Sequence, residues 1–335
     1  MRSVLVPLQI HLAMPPAGSR LRTAAGLTMG TSWSARMVVP GDVTADLDAL
    51  LQRELDSIVA QMSHWDENSL LSQYNRAPAG SWHALPPAFF DVIDFALRVH
   101  EDTAGAYDPA AGALVGLWGF GPKGRHHHAG FAPPSGDAVT DALARRAGAT
   151  PQLDRTGRGL LQPGGARLDF SSIAKGYAVD RLGARLEQAG VRHYLVEVGG
   201  ELRGAGVKPG GDPWWVEIEG VPDADDRQGR AIVALHGLAV ATSGDYRSYF
   251  HQGPRRVSHT LDPRSGHPIA NGVASSTVVA STCMAADALS TALTVMGVED
   301  GTAFADARGI AARYLVRIDG GLAEHTTAAW RELLQ

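Results

Sequence analysis

The 335-residue sequence predicts an α+β (mixed α/β) fold. Hydrophobic residues make up 44% of the chain and charged residues 19%, which is the composition of a globular protein and excludes a disordered or fibrous one. Stretches with helical periodicity and short apolar runs typical of strands follow each other without the strict alternation of a doubly wound parallel sheet. The length alone allows one large domain or two ordinary ones.

Charge and cysteine content exclude several classes of protein. The net charge of −5 gives no overall basic footprint for nucleic acid. The single cysteine, Cys283, excludes a disulfide within the chain and a cysteine-rich metal site. No run of about 18 apolar residues occurs in the sequence, so we expect no ordinary membrane-spanning helix. The 39 glycines and 19 prolines predict many tight turns.

The N-terminus is ambiguous. Residues 1–17 begin with a basic residue and an apolar stretch, as signal peptides do, but Pro7 and polar residues interrupt the stretch and no cysteine follows that would carry a lipid. We interpret residues 1–26 as a leader or a disordered segment and expect the folded domain over residues 27–335. Taken by itself, the poor signal peptide favours a cytoplasmic protein.

The elements of the first third follow from local patterns. Residues 28–40 mix threonine, tryptophan and valine and are predicted as a strand. Thr44 is placed to cap a helix whose leucines recur at helical spacing until the polar segment 63–85, which is predicted as a loop. Pro87 opens a second helix, and Gly105 stands where a C-terminal cap is expected.

The same criteria predict the remaining elements. Apolar residues at helical spacing that stop at a glycine indicate helices, and short apolar or alternating runs indicate strands. The segment rich in glycine and proline is predicted as a loop, and a hairpin-like stretch is expected before residue 168. The predicted loop is 105–136; the predicted helices are 137–147, 172–189, 285–296 and 299–307; the predicted strands are 194–198, 214–218, 232–235, 238–241, 276–280 and 312–318.

One tetrad resembles a nucleophile motif. Ser172 and Lys175 form an S-x-x-K at a predicted helix start, which in penicillin-binding enzymes serves acyl transfer. The companion S-D-N and K-T-G motifs are absent from the sequence, as are a G-x-S-x-G elbow, an H-E-x-x-H zinc helix and a phosphate-binding P-loop. Serine acyl transfer is therefore a disfavoured hypothesis.

A carboxylate and a hydroxyl share one face of the last long predicted helix. Asp287 and Thr291 are four residues apart, so both side chains point to the same side. Oxygen donors of this kind suit a hard cation such as Mg²⁺. The alternative is that Asp287 is an ordinary acidic residue near a helix N-terminus, beside a capping interaction.

Two further segments carry polar groups after strands. Residues 242–246, with Ser243, combine hydroxyls and a glycine at a strand end, where backbone N–H groups can cradle a phosphate or ribose; the alternative is an ordinary polar turn. His259 precedes Asp262 by three positions and is either an acid/base or a structural residue.

Aromatic residues in two glycine-rich loops allow two interpretations. Tyr107 and Trp118 offer either exposed faces for stacking on a planar ligand or anchors that hold long loops to the core. The run His126–His128 resembles a metal tract, but it lies in a polar loop without a partner motif, which favours a solvated run.

Eight segments of the sequence, taken together and in their order, are far more specific than any one motif. The segments are MGTSW (29–33), MSHWDENSLLSQYN (62–75), GAYDPAAGALVGLWGFG (105–121), LDFSSIAKGYAVD (168–180), VEVGGELRGAG (196–206), TSGDYRSYF (242–250), SHTLDPRSG (258–266) and ADALSTAL (286–293). Together they resemble the ApbE family of FAD:protein FMN transferases, over about residues 27–325.

The resemblance implies a fold and an activity. The fold is a single ApbE-like, T-fold-like domain with antiparallel sheets packed by helices, and the spread of one site's motifs from residue 29 to residue 291 favours one domain. The activity is Mg²⁺-dependent transfer of FMN from FAD to a Thr or Ser hydroxyl of a target flavoprotein, with release of AMP. The implied acceptors are electron-transport or reductase subunits.

The resemblance also implies roles for individual residues. Asp287 and Thr291 correspond to side-chain metal ligands, with Ser290 nearby, and Ser172 corresponds to a residue that supplies a further oxygen from its backbone carbonyl. His259 is the candidate for proton transfer involving the acceptor hydroxyl, and with Asp287 forms the expected catalytic pair. The residues expected to contact FAD are Met29, Trp65, Ala106, Tyr107, Asp108, Asp169, Lys175, Ser243 and Thr260.

Some positions depart from the family pattern. Trp65 stands where the family often has tyrosine, and Tyr107 stands where it has phenylalanine, so an aromatic face is kept at both. The segment commonly written GGIAKG begins with two serines here, which lowers backbone freedom. Family members are commonly exported or lipid-anchored, and this chain lacks the lipid-bearing cysteine.

Two other functions fit the same motifs. One is a non-catalytic flavin-binding or flavin-delivery accessory protein, which would not need metal ligands at the pyrophosphate. The other is Mg²⁺-dependent hydrolysis of FAD to FMN and AMP, which the sequence does not separate from transfer.

Overall fold

The computed structural model describes residues 3–10, 13–222 and 231–334. The chain divides into two compact units, each with its own sheets and helices. The first unit comprises residues 1–57, 173–244 and 273–335, and the second comprises residues 58–172 and 245–272.

Strands and helices are interspersed along the described chain, as the sequence predicts. The strands are β1 (Ser3–Leu5), β2 (Arg20–Thr28), β3 (Thr31–Val39), β4 (Ser81–Ala84), β5 (Gln152–Asp154), β6 (Gly159–Gln162), β7 (Tyr194–Val198), β8 (Glu201–Ala205), β9 (Trp214–Glu217), β10 (Ala231–Leu235), β11 (Leu238–Gly244), β12 (Tyr249–Gln252), β13 (Arg255–Ser258), β14 (Leu261–Asp262), β15 (His267–Pro268), β16 (Val273–Ala280), β17 (Ala311–Ile318) and β18 (Gly321–Thr326). The helices are α1 (Leu47–Met62), α2 (Leu70–Arg76), α3 (Pro87–Asp102), α4 (Gly112–Leu117), α5 (Gly136–Arg146), α6 (Ala174–Gln188), α7 (Cys283–Asp306) and α8 (Ala328–Glu332).

The first unit is built on a large antiparallel sheet. Its strand order is β18-β17-β16-β11-β8-β7-β3-β2, and every neighbouring pair is antiparallel. Side chains of β7 alternate between buried and partly exposed, whereas seven of the eight residues of β16 are buried. The alternation in β7 agrees with the period of two of a strand, and the burial of β16 agrees with a central strand that is covered on both faces. The predicted mixed α+β fold with antiparallel sheets is confirmed.

Apolar clusters cover the two faces of the central strands. On one face Ala241 of β11 and Tyr314 of β17 pack with Leu293 of α7. On the other, Val240 of β11 packs in a cluster that includes the fully buried Trp330 and the strands of the smaller sheet β1-β10-β9. Burial of apolar surface at about 25 cal/mol per Å² makes these clusters the main source of the unit's stability.

Helix α7 contains a break at the position where the sequence predicts one helix to end. Gly297 has φ 80°, a conformation that glycine adopts without a Cβ clash, and this separates two helical segments within Cys283–Asp306. The predicted helices 285–296 and 299–307 are these two segments.

The second unit contains shorter elements around its own core. Its sheets are β4-β6-β5 and the hairpins β12–β13 and β14–β15. Leu114, Trp118 and Val139 form the core with residues of the hairpins. The indole N–H of Trp118 also donates to the Gly266 carbonyl over 2.8 Å, so Trp118 anchors its loop to the core.

Two segments predicted as loops contain helices. Within 63–85 the structure has α2 and β4, and within 105–136 it has α4. Helix α2 is only seven residues long, and it is capped by Ser69, whose hydroxyl accepts the N–H of Ser72 over 3.0 Å. These helices were missed because they are too short to show apolar periodicity.

The folded chain begins before the expected start near Leu27. Strand β2 begins at Arg20 and pairs with β3 along its whole length, and β1 pairs in parallel with β10. The expectation that the segment before residue 27 is disordered is therefore wrong for these strands. The signal was missed because β2 lies at the end of the sheet and most of its residues are exposed, so it lacks an apolar pattern.

Helices in the described part of the chain are either too short or too polar to cross a membrane.

Candidate active site

The first two turns of α7 place Asp287 against the beginning of α6. Asp287 is 3% exposed, and its Oδ2 accepts the backbone N–H of Gly176 over 2.9 Å. The Nζ of Lys175 lies 3.9 Å from Asp287 Oδ1. The N-terminus of a helix and an ammonium group both compensate a negative charge, so the site favours a carboxylate here.

Gly176 allows this contact because it has no side chain. A Cβ at this position would lie 2.3 Å from the Cys283 carbonyl oxygen and 2.7 Å from Asp287 Cβ. No larger residue fits unless the two helices move apart, so the glycine sets the distance between the first turns of α6 and α7.

Three of the predicted hydroxyls lie together. Ser243 Oγ at the end of β11 is 2.8 Å from Ser290 Oγ and 2.9 Å from Thr291 Oγ1. Ser290 is fully buried, and its hydroxyl also donates to the Asp287 carbonyl over 2.9 Å. Thr291 is half-buried. The Ser290 hydroxyl is therefore buried between the backbone of α7 and Ser243. Thr291 lies one turn after Asp287 and is more exposed than Ser290.

Lys175 is held by a residue that the sequence analysis did not single out. Its Nζ lies 2.6 Å from Oε1 of Glu201, which begins β8 and is 3% exposed. A buried carboxylate opposite an ammonium fixes the direction of the lysine side chain. Glu201 lies inside the quoted segment 196–206, but nothing in the sequence itself indicates that it faces Lys175.

The donor set around Asp287 fits a hard cation. It consists of one carboxylate and the hydroxyls of Thr291, Ser243 and Ser290, all oxygen ligands of the kind that Mg²⁺ prefers. Among the described residues no group of three or more His, Cys, Asp or Glu side chains is arranged to hold a metal. A metal here would therefore depend on one carboxylate together with hydroxyl and carbonyl oxygens.

Met29 stands at the tip of the β2–β3 hairpin. Thr28 pairs with Thr31, and the two residues between them, Met29 and Gly30, have φ of 49° and 73°. Positive φ at both central residues is typical of a type I′ turn. The turn leaves the Met29 side chain half-buried at the end of the sheet.

In the second unit Asp169 is fixed by its neighbours. Its Oδ1 accepts the N–H and the hydroxyl of Ser171 over 2.9 and 2.6 Å, and His64 Nδ1 lies 3.4 Å away. Asn75 of α2 holds the adjacent backbone, because its amide both donates to and accepts from Leu168. Asn75 was not singled out from the sequence, since its contact spans 93 positions.

Asp169 lines a cavity of about 230 Å³ within the second unit. Arg76, Lys123 and Arg167 also line it, so three cationic side chains stand beside the carboxylates of Asp169 and Glu67. This composition suits a polar ligand that carries both hydroxyls and negative charge.

Trp65 has an exposed aromatic ring. Its side chain is 51% exposed, and the Arg125 guanidinium lies 5.0 Å from its ring centroid. A cation over an indole and an exposed ring are both compatible with stacking on a planar ligand.

Ala106 and Tyr107 are buried, at 1% and 2% exposure. The interpretation of Tyr107 as an exposed stacking residue is therefore wrong, and the alternative that such aromatics anchor long loops applies. Its phenol oxygen accepts the Ser172 hydroxyl over 3.3 Å. Asp108 is likewise engaged: its carboxylate accepts the N–H of Ala110 over 2.7 Å and forms an ion pair with Arg146.

The hydrogen bonds of His259 determine its tautomer. Its Nδ1 lies 3.0 Å from the Ser248 carbonyl oxygen, which only a protonated Nδ1 can satisfy. In the neutral ring Nε2 is then the acceptor, as a general base requires. The next residue, Thr260, is 7% exposed, and its N–H donates to the Ser258 hydroxyl over 3.1 Å.

The run His126–His128 does not belong to a cluster of metal-ligating side chains among the described residues. The His126 ring stacks on Phe250 at 5.6 Å between centroids. Burial, followed by the charges of His127 and Arg125, lowers the pKa of His126, so its neutral form is favoured.

The structure brings part of the predicted residues together within the first unit. In the first unit the structure brings together Lys175, Ser243, Asp287, Ser290 and Thr291, with Met29 at a hairpin tip. The predicted residues that belong to the second unit are Trp65, Ala106, Tyr107, Asp108, Asp169, Ser172, His259 and Thr260.

Comparisons with known proteins agree with the resemblance. The chain matches the ApbE family over residues 29–314. It is 31% identical to the FAD:protein FMN transferase of Haemophilus influenzae, covering 99% of this chain and 97% of that protein. It is 37% identical to the FAD:protein FMN transferase of Vibrio cholerae, covering 92% of each.

A solved structure gives the same result. The apo form of the flavinyl transferase ApbE of Pseudomonas stutzeri superposes with a TM-score of 0.85 and 38% identity, over 94% of this chain and 97% of that one. The match spans both compact units. The chain therefore belongs to the ApbE family.

Proposed function

We propose that this protein transfers FMN from FAD to a Thr or Ser hydroxyl of a target protein, with Mg²⁺ bound, and releases AMP. The observation that carries the proposal is the placement of Asp287, which binds the Gly176 N–H at 2.9 Å, one turn before Thr291 and beside Lys175. The relatives named FAD:protein FMN transferase support the same reaction.

The reaction is a displacement at phosphorus. The acceptor oxygen forms a bond to the phosphorus on the FMN side, and the bond from that phosphorus to the bridging oxygen breaks, so AMP leaves with the bridging oxygen. The hydroxyl proton passes to a base. Such a transfer depends on positioning and on stabilisation of charge more than on covalent catalysis.

Asp287 and Thr291 are the side chains that would hold the Mg²⁺, with the Ser172 backbone carbonyl as a further ligand. Bound there, the ion supplies neutralisation of charge on the pyrophosphate and on the leaving group. Ser290 and Ser243 keep the Thr291 side chain oriented through their hydroxyls.

The remaining residues bind FAD and move the proton. Lys175, oriented by Glu201, contributes positive charge for the phosphates. Trp65 and Met29 flank a ring of the dinucleotide, Asp169 accepts from its hydroxyls, and the segment at Ala106, Tyr107 and Asp108 lines the site through its backbone.

His259 Nε2 accepts the proton of the acceptor hydroxyl, since its Nδ1 is bonded to the Ser248 carbonyl. Thr260 and Ser243 contribute hydroxyls near the phosphates.

The proposed acceptor is a flavoprotein subunit of an electron-transport or reductase complex that presents a Thr or Ser hydroxyl. A cytoplasmic location and the interpretation of residues 1–26 as a leader stay predictions. Sequencing the N-terminus of the mature protein tests the second.

The experiment that tests the function uses the full chain with FAD, Mg²⁺ and several candidate acceptor domains. Transfer gives an acceptor band that keeps flavin fluorescence after denaturing electrophoresis. Tight FAD binding without a labelled band from any acceptor would favour a flavin-delivery protein, and release of free FMN alone would favour a pyrophosphatase.

A further inference from the structure

Asp180 joins α6 to the first turn of α7. Its Oδ1 accepts the N–H of Cys283 over 3.0 Å, and its Oδ2 accepts the N–H of Met284 over 2.9 Å. These N–H groups have no partner inside their own helix. The next one, of Ala285, is bound at 3.4 Å by the hydroxyl of Thr282, the residue at the conventional capping position.

The capping is reciprocal. Asp180 on α6 caps α7, and Asp287 on α7 caps α6 through Gly176. Gly176 and Asp180 are four residues apart, as are Cys283 and Asp287, so each pair lies on one face of its helix. Because the two contacts lie one turn apart on both helices, they fix the rotation of one helix against the other as well as the distance between them.

Arg203 holds Asp180 from the sheet. Its Nη1 on β8 lies 2.6 Å from Asp180 Oδ1. Burial acts to lower the pKa of Arg203, but the hydrogen bond and charge of Asp180 outweigh burial and raise it, so the guanidinium stays charged. Asp180 is therefore bound on one side by the sheet and on the other by α7.

We propose that Asp180 is a positioning residue for the transfer reaction. It holds the first turn of α7 in the rotation that places Asp287 Oδ2 on the Gly176 N–H and Oδ1 near Lys175. Without it, the N–H groups of Cys283 and Met284 lose their acceptor, and the contact of Asp287 with Gly176 loses its counterpart one turn away. The inference rests on the proposed function, in which Asp287 binds Mg²⁺.

The test compares Asp180→Ala and Asp180→Asn with a matched variant, Glu54→Gln. Glu54 is also a buried carboxylate that holds α6, because it pairs with Arg181 and Arg185 at 2.7 and 2.6 Å. It joins α6 to α1 instead of α7. Loss of either carboxylate therefore weakens the packing of α6, but only loss of Asp180 releases the turn that bears Asp287.

Four measurements are made on each variant. The first is the melting temperature. The second is Mn²⁺ affinity in the presence of FAD, with Mn²⁺ as the probe for the Mg²⁺ site. The third is the Mg²⁺ concentration that gives half the maximal rate of FMN transfer, recorded with the maximal rate. Amide exchange at Cys283 and Met284 reports the state of the first turn of α7 directly.

We expect Asp180→Ala to weaken Mn²⁺ binding and raise the half-saturating Mg²⁺ concentration by roughly tenfold or more, as loss of a ligand-orienting group does. The maximal rate falls less, and exchange at Cys283 and Met284 becomes faster. Asp180→Asn keeps an acceptor and shows a smaller shift. Glu54→Gln lowers the melting temperature and leaves the Mg²⁺ dependence unchanged.

The proposal is overturned if the Asp180 variants lower the melting temperature while Mn²⁺ affinity and Mg²⁺ dependence stay within twofold of wild type. Failure of the proposed function gives a different result: the unmodified protein labels no acceptor, or Asp287→Ala keeps full transfer. Amide exchange at Cys283 and Met284 then still decides whether Asp180 holds the first turn of α7.

Discussion

The N–H of Gly176 donates to Asp287 Oδ2 over 2.9 Å, although the two residues are 111 positions apart in the chain. This bond puts the carboxylate at the N-terminus of α6, where the helix dipole favours negative charge. It also makes the position of Asp287 depend on how closely α6 and α7 approach. The predictions for the site follow from this dependence.

Gly176→Ala is expected to destabilise the protein by about 1–3 kcal/mol and to reduce transfer strongly. The new Cβ would lie 2.3 Å from the Cys283 carbonyl, which belongs to backbone and does not move aside without the helix. Thermal unfolding and the transfer rate measure the two effects. Gly136→Ala is the control, because it starts α5 in open space and is expected to be neutral or slightly stabilising.

Asp287→Ala is expected to abolish transfer while the protein stays folded. The substitution removes the only carboxylate of the proposed oxygen donor set and leaves one N–H of α6 without its acceptor. Circular dichroism and FAD binding check the fold, and the rate of acceptor labelling checks activity. Unchanged labelling at saturating Mg²⁺ would contradict the metal assignment.

Thr291→Ala and Ser290→Ala are expected to differ. Thr291 is half-buried beside Asp287, so its loss raises the Mg²⁺ requirement with little effect on stability. Ser290 is fully buried and bonded to the Asp287 carbonyl and to Ser243, so its loss lowers stability by about 1 kcal/mol and changes the Mg²⁺ requirement less. The opposite pattern would show that Ser290 is the ligand.

Glu201→Gln is expected to raise the KM for FAD several-fold while the protein stays folded. The amide keeps the size of the side chain but removes the charge that holds the Lys175 ammonium at 2.6 Å. Lys175 then adopts other orientations and binds the phosphates less well. Steady-state kinetics at several FAD concentrations measure the change, and a KM equal to that of wild type would show that Glu201 does not orient the lysine.

Because His193 is buried, we expect the folded protein to lose stability in mild acid. His193 is 7% exposed, its Nδ1 accepts the N–H of Val207 over 3.0 Å, and burial lowers its pKa below the usual value. Below about pH 6.5 the unfolded chain binds a proton that the folded chain rejects, so stability falls as the pH drops toward the lowered pKa.

Melting temperatures at pH 7.5 and 5.5 measure this effect. His193→Asn keeps an acceptor for Val207 but does not titrate, so its melting temperature should fall less between the two pH values than that of wild type. Equal falls would show that other groups cause the acid sensitivity.

Local patterns in the sequence predict the long elements and a few of the candidate site residues. Apolar residues at helical spacing predict α1 and α3, and Gly297 marks the break in α7. The i, i+4 spacing of Asp287 and Thr291 predicts that they share a face. Ser243 was proposed from its place at a strand end, and its contacts with Ser290 and Thr291 support that choice.

The residues that sequence reasoning missed act over long distances in the chain. Glu201 meets Lys175 across 26 positions, and Asp180 meets Cys283 across 103. Neither contact leaves a periodic or local signal. Both interpretations of Tyr107 stayed open for a related reason, because a glycine-rich loop does not show whether its aromatic side chain points to solvent or to the core, and the structure shows it buried.

The most direct test of the account is the balance between the two products. The protein is incubated with FAD, Mg²⁺ and an acceptor domain, AMP is quantified, and FMN on the acceptor is counted by mass spectrometry of the intact protein. The account predicts equal amounts of AMP and acceptor-bound FMN, and neither product with Asp287→Ala. AMP with free FMN and an unmodified acceptor, for every acceptor tried, would contradict transfer.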